Sequence, residues 1–111
     1  MTASKIKGKL IAPKQIPTVL VSDAGDADFT ALLGPGSDCQ VIRYNVAVAA
    51  PRTVTLGTTG AVKGQTARIV RTSAATGASA VTFAGKSIAV SNWAEAVFDG
   101  SAWILSAFGS L

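Results

Sequence analysis

A chain of 111 residues holds one domain, and its balance of 49% apolar to 14% charged residues excludes disorder and argues against a helical bundle. The formal charge of +4 is unevenly spread: Lys5, Lys7, Lys9 and Lys14 come before any acid, and Asp23, Asp26, Asp28 and Asp38 follow with no base among them. The absence of histidine, with Cys39 as the sole cysteine, excludes a Ser-His-Asp triad, a Cys-His pair, a Cys-rich metal site and an internal disulfide.

Residues 1–22 read as an extended N-terminal arm. Lys5, Lys7 and Lys9 alternate with Ile6, Gly8 and Leu10, the period of a strand with one basic face. Pro13 and Pro17 interrupt it, so the arm cannot be a central strand. Ordering such a segment costs about 1–2 kcal/mol per residue in backbone entropy, so it must lie on its own domain, a sister subunit or another protein. No apolar run follows the lysines as a signal peptide requires, and no stretch reaches the ~18 apolar residues of a membrane span. The chain is therefore expected to fold in a cytoplasm.

Residues 23–38 read as a linker, ending in Gly34-Pro35-Gly36. Within it Phe29, Leu32 and Leu33 suggest one apolar helical turn capped by Asp26 or Asp28.

Residues 39–111 are the expected β domain. Cys39, at its start, reads as a small buried hydrophobe rather than a reactive thiol. From Val41 to Val48 the residues alternate, with Ile42, Tyr44, Val46 and Val48 on one face. Val54 and Leu56 alternate with Thr53 and Thr55. Further strands are expected over Thr66 to Thr72, at Val81 with Phe83, and at Ile88 with Val90. Trp93 to Phe98 and Ala102 to Phe108 are joined by Asp99-Gly100, a strong hairpin signal. The fold class is all-β: a small β-sandwich, jelly-roll-like or partly closed barrel, with the arm attached.

Several residue groups imitate catalytic motifs. Ala84-Gly85-Lys86-Ser87 matches the end of a phosphate-binding loop, but Ala80 stands where that motif requires its first glycine, and a hairpin turn is the better reading. Asp23, Asp26 and Asp28 lack EF-hand spacing and a closing glutamate. Glu95 and Asp99 share a strand face but have no cleft between them; Asp99 belongs to its turn and Glu95 to a strand edge. Arg68 and Arg71 fall on opposite faces of one strand and make no joint basic patch. No catalytic residue, metal ligand or cofactor is expected. Tyr44, Trp93 and Trp103 read as core or interface residues, since they do not interleave with bases as in nucleic-acid-binding modules.

One resemblance is carried by four groups of residues. These are Arg52-Thr53-Val54-Thr55-Leu56, then Gly60-Ala61-Val62-Lys63-Gly64-Gln65, then Arg68-Ile69-Val70-Arg71-Thr72 with Ala75-Thr76-Gly77-Ala78, and the ending Val97 to Leu105. Together they resemble a small β module of tailed-bacteriophage structural proteins, found in capsid decoration proteins, head fibres and tail-fibre-like proteins. The resemblance covers roughly residues 50–111 and rests on turn-and-strand patterns. It implies a virion protein that decorates and cements the capsid, bound to the major capsid protein; neither nucleic acid nor membrane is expected as a partner. It also implies a homotrimer with its arm laid on the shell. The alternative is a tail-tip or fibre module that binds a host receptor or glycan, for which Trp93 and Trp103 are the aromatic candidates.

On these readings Lys5, Ile6, Lys7, Lys9, Leu10, Ile11 and Lys14 contact the capsid, by strand addition over part of the arm. The final strand is apolar on both faces, with Trp103, Leu105 and Ala107 on one and Ala102, Ile104 and Phe108 on the other. A strand of this kind needs cover on both sides, from the core and from a subunit interface or the arm. Trp93, Trp103, Ile104 and Phe108 are the expected oligomer interface.

Overall fold

The computed structural model describes residues 19–31 and 39–111. Among them the apolar–polar alternation folds into nine strands and no helix: β1 (Val19–Asp23), β2 (Phe29–Ala31), β3 (Cys39–Tyr44), β4 (Arg52–Leu56), β5 (Thr66–Arg71), β6 (Val81–Phe83), β7 (Lys86–Ile88), β8 (Asn92–Phe98) and β9 (Trp103–Ser110). They form two mixed sheets, one ordered β1-β3-β5-β8-β9 and the other β2-β4-β6-β7, which do not close into a barrel. The all-β, sandwich-like reading of the sequence therefore holds.

The winding has a regular rule. From β1 to β6 the chain changes sheet at every strand, so β1, β3 and β5 pair in parallel in one sheet and β2, β4 and β6 in parallel in the other. Parallel neighbours need a crossover, and here each crossover is itself a strand of the opposite sheet, as in solenoid-like coils. Two hairpins end the pattern. β6 and β7 are joined by Ala84 and Gly85, both at positive φ (48° and 80°), the backbone of a two-residue hairpin turn. β8 and β9 are joined across Asp99 to Ala102.

This topology corrects the expected boundaries. Val19–Asp23 is an edge strand of the larger sheet, although the sequence places it in the arm and linker. Phe29–Ala31 is a strand beside β4, not a helical turn, and Ala31 is buried in the core. Leu32 and Leu33 lie outside the described residues, as do residues 1–18 with every lysine of the arm. Asp28 caps no helix; its Oδ1 accepts the Thr53 backbone N–H at 2.9 Å and so ties the 24–28 loop to β4. β3 stops at Tyr44, so Val46 is exposed, whereas Val48 returns to the core from the following loop. The last strand expected in the middle of the domain, Ile88 to Val90, is β7 at Lys86–Ile88.

The core lies between the sheets. Ile42, Tyr44, Ala67, Ile69, Ala94 and Ala96 face it from the larger sheet, and Ala31, Val54, Val81, Phe83 and Ile88 from the smaller. The small alanines let the two layers approach closely, which is where the alanine-rich composition is used.

One polar side chain is part of this interior. Arg71 is 2% exposed and alternates inward on β5, opposite the exposed Arg68, as its register predicts. Its Nε donates to the Ala75 carbonyl at 2.9 Å, Nη1 to those of Ser79 at 3.0 Å and Ile88 at 2.9 Å, and Nη2 to that of Gly77 at 3.1 Å. Burial pulls the pKa of this guanidinium below the usual arginine value. Four carbonyl dipoles offset the desolvation and make the side chain an internal strut for the 72–80 loop.

Candidate functional site

Two surfaces are candidates: the outer face of the larger sheet, and a groove where the smaller sheet meets the start of β9. On the larger sheet, the residues opposite the core form rows across the strands. One row runs Val21, Val41, Arg68, Glu95, Ala107, and the next Asp23, Arg43, Val70, Trp93, Gly109. Val97 and Ile104 pair in a third. Val21 is 62% exposed and Ile104 47%, so the face presents aliphatic side chains to its surroundings.

The charges on this face are arranged in pairs. Arg43 donates through Nε and Nη2 to both oxygens of Asp23, with the Nη2 bond at 2.9 Å. That guanidinium holds the Asp23 carboxyl below the usual aspartate value, and the carboxylate raises Arg43 in turn. Arg68 stands 3.9 Å from Glu95 and lies over the Trp93 ring, 4.9 Å from its centroid. Trp93 also lies beside Gly109, its cross-strand partner, where an added Cβ would come 3.1 Å from the indole nitrogen. Glu95 belongs to an inner strand of the sheet rather than to an edge, and Arg68 is the group that accompanies it.

The four aromatic and aliphatic residues expected at one interface are divided by the structure. Trp93 and Ile104 stand on the outer face. Trp103 turns inward: its Nε1 donates to the Gly57 carbonyl at 3.0 Å, and its ring meets Phe98 at 5.4 Å between centroids. Phe108 also leaves the face of Ile104. The β8–β9 register slips between Glu95 and Ala96, so that Ser106 has no partner and Phe108 pairs with the buried Ala94. Phe108 therefore points to the inner side at the rim of the sandwich, where Lys86 Nζ lies 4.0 Å from its ring centroid. A β-bulge inverts the facing of every later residue, which strict alternation cannot anticipate.

The second surface is an open groove of about 360 Å³ at the end of the smaller sheet, where β4, the β6–β7 turn and the start of β9 meet. Thr53, Thr55, Thr58, Thr82 and Ser101 line it beside Trp103, and no charged residue does. Thr53 pairs with Thr82 across β4 and β6, which aligns their hydroxyls on one face. The sequence gives the alternation of Thr53 and Thr55, but the approach of Thr82 and Ser101 depends on register and on the β8–β9 turn.

The remaining candidates have structural roles. Asp26 accepts from Arg52 Nε at 2.9 Å and from the Ala49 backbone N–H at 3.3 Å, and the Arg52 bond lowers its pKa most. Asp99 Oδ1 accepts the N–H groups of Ser101 and Ala102, both at 2.8 Å, which holds its carboxyl below the usual range and fixes the turn. Burial, with the Asp28 charge next in effect, raises the Tyr44 hydroxyl, which donates to the Ala27 carbonyl at 2.8 Å. Among the described residues no three metal-ligating side chains gather.

Comparison with protein-family models, curated proteins and solved structures returns no match for this chain.

Proposed function

We propose that this chain is a structural module of a tailed-phage virion, a decoration protein that binds the outside of the head and stabilises contacts between major capsid proteins. The observation that carries the reading is the outer face of the larger sheet. It joins exposed Val21 and Ile104 to Val41, Val70, Val97 and Trp93, and its four charges are already paired within the chain. A surface of this kind suits a lasting contact with protein, because burying it strands no unpaired charge. The turn-and-strand resemblance over residues 50–111 supports the same class.

On this reading the module acts as a homotrimer, and Lys5, Lys7, Lys9 and Lys14 bring positive charge to acidic groups of the shell. The test is attachment of the purified protein to phage heads that lack it, with bound copies counted per particle. Binding in hundreds of copies, lost on deletion of residues 2–15 while the domain stays folded, is the expected result. A few copies confined to the tail, or attachment unchanged by the deletion, overturns it.

A further inference from the structure

We infer that the groove beside Trp103 is a binding site for a neutral saccharide. The inference does not depend on where in a virion the module sits, because the groove's lining shares no residue with the proposed assembly face.

Three observations converge on that chemistry. The first is the hydroxyl lining. Thr53, Thr55, Thr58, Thr82 and Ser101 all line one groove, and none of their hydroxyls hydrogen-bonds to another described residue. Each hydroxyl can donate once and accept twice, which matches the mixed donor–acceptor edge of a sugar ring.

The second is the aromatic wall. Trp103 is half-buried, and its indole N–H is already committed to the Gly57 carbonyl at 3.0 Å. The ring is further held by Phe98 at 5.4 Å. It is thus a fixed apolar surface rather than a donor, suited to the C–H face of a pyranose, and its immobility removes an entropic cost of binding.

The third is the absence of charge. The rest of the lining is apolar or glycine, so nothing in the groove compensates a sulfate, phosphate or carboxylate, or ligates the calcium that many sugar sites use. A volume of about 360 Å³ lies at the small end of ligand sites, large enough for a short saccharide and too open for a wholly apolar ligand to be enclosed.

The test is amide and indole chemical-shift mapping on the full chain, titrated separately with maltotriose, cellotriose, triacetylchitotriose and the anionic 3′-sialyllactose. The expected result is saturable, millimolar binding of at least one of the three neutral sugars. Its shifts should centre on the Trp103 indole N–H and on Thr53, Thr55, Thr82 and Ser101. Because Trp103→Ala removes a packed ring and can unfold the domain, Thr55→Val and Thr82→Val are the deciding variants. Each should keep the fold and weaken binding about threefold to tenfold. The inference is overturned if none of the neutral sugars gives saturable groove shifts up to tens of millimolar. Equal binding of 3′-sialyllactose, or unchanged affinity in both threonine variants, overturns it as well.

Discussion

The Ser106 hydroxyl donates to the Glu95 carbonyl at 3.1 Å, at the point where β9 carries one residue more than β8 can pair. This bond fixes the bulge, and the bulge assigns Ile104 to the outer face and Phe108 to the inner rim. The two residues should therefore respond differently to a charge.

Ile104→Asp is expected to leave the fold intact and to disrupt association, since Ile104 faces away from the core at 47% exposure. Sedimentation at micromolar concentration should give a closed oligomer for the natural chain and a folded monomer for the variant. A natural chain that is monomeric under those conditions refutes the interface. Phe108→Asp should instead act within the subunit, loosening the rim against Lys86 and lowering the melting temperature.

Arg71→Met should destabilise the domain by about 2–4 kcal/mol, because it strands buried carbonyls that a charged donor now satisfies. Arg71→Lys should rescue little of this, since one ammonium cannot match the planar reach of a guanidinium to four acceptors. Denaturant unfolding measures both, and a loss below about 0.5 kcal/mol for the methionine variant contradicts the strut, being the size of an ordinary surface change.

Gly77→Ala tests the same loop through its backbone. Gly77 has φ of 117°, and an added Cβ would stand 2.5 Å from the Val48 carbonyl oxygen. Both the left-handed backbone and the clash oppose a side chain, so about 2 kcal/mol or more should be lost. Thermal unfolding should register a fall of at least about 8 °C for a domain of this size.

Acid should weaken the domain through Asp26. Its pKa is lowered in the folded state, above all by Arg52. Such a group contributes fully above the ordinary aspartate value of 3.8, and the contribution is lost as pH falls through the lower folded-state value. Stability should therefore decline on acidification below about pH 5, the upper end of that titration. Asp26→Asn should be less stable at neutral pH and show a shallower acid decline. An unaltered slope in the variant would assign the acid sensitivity to other carboxylates.

Much of the architecture is legible in the residues themselves. Ile42 and Tyr44, Ala67 and Ile69, and Val81 with Phe83 stand two apart in their strands, Val54 stands between two threonines, and each proves to face the core. Asp99-Gly100 marks a real hairpin turn, because Asp99 satisfies two backbone N–H groups and Gly100 takes a φ of 106° that other residues avoid. That Arg68 and Arg71 point to opposite faces follows from their odd spacing in one strand. These features depend on a residue and its near neighbours, so period and turn chemistry determine them.

Tertiary structure alone decided what depends on distant partners. Val19–Asp23 pairs along the edge of β3, a partner that its own five residues do not specify. Phe29–Ala31 departed from the expected helical turn for the same reason, beside β4. The parallel winding could not be read from strand order, since sequence does not state which strand pairs with which. The separation of Ile104 from Phe108 required the bulge at Ser106, and the hydroxyl groove required Thr53, Thr82 and Ser101 to meet across three segments. Alternation specifies two faces for each strand, but register and sheet pairing decide which groups share a face, and the surfaces on which function depends are built from that sharing.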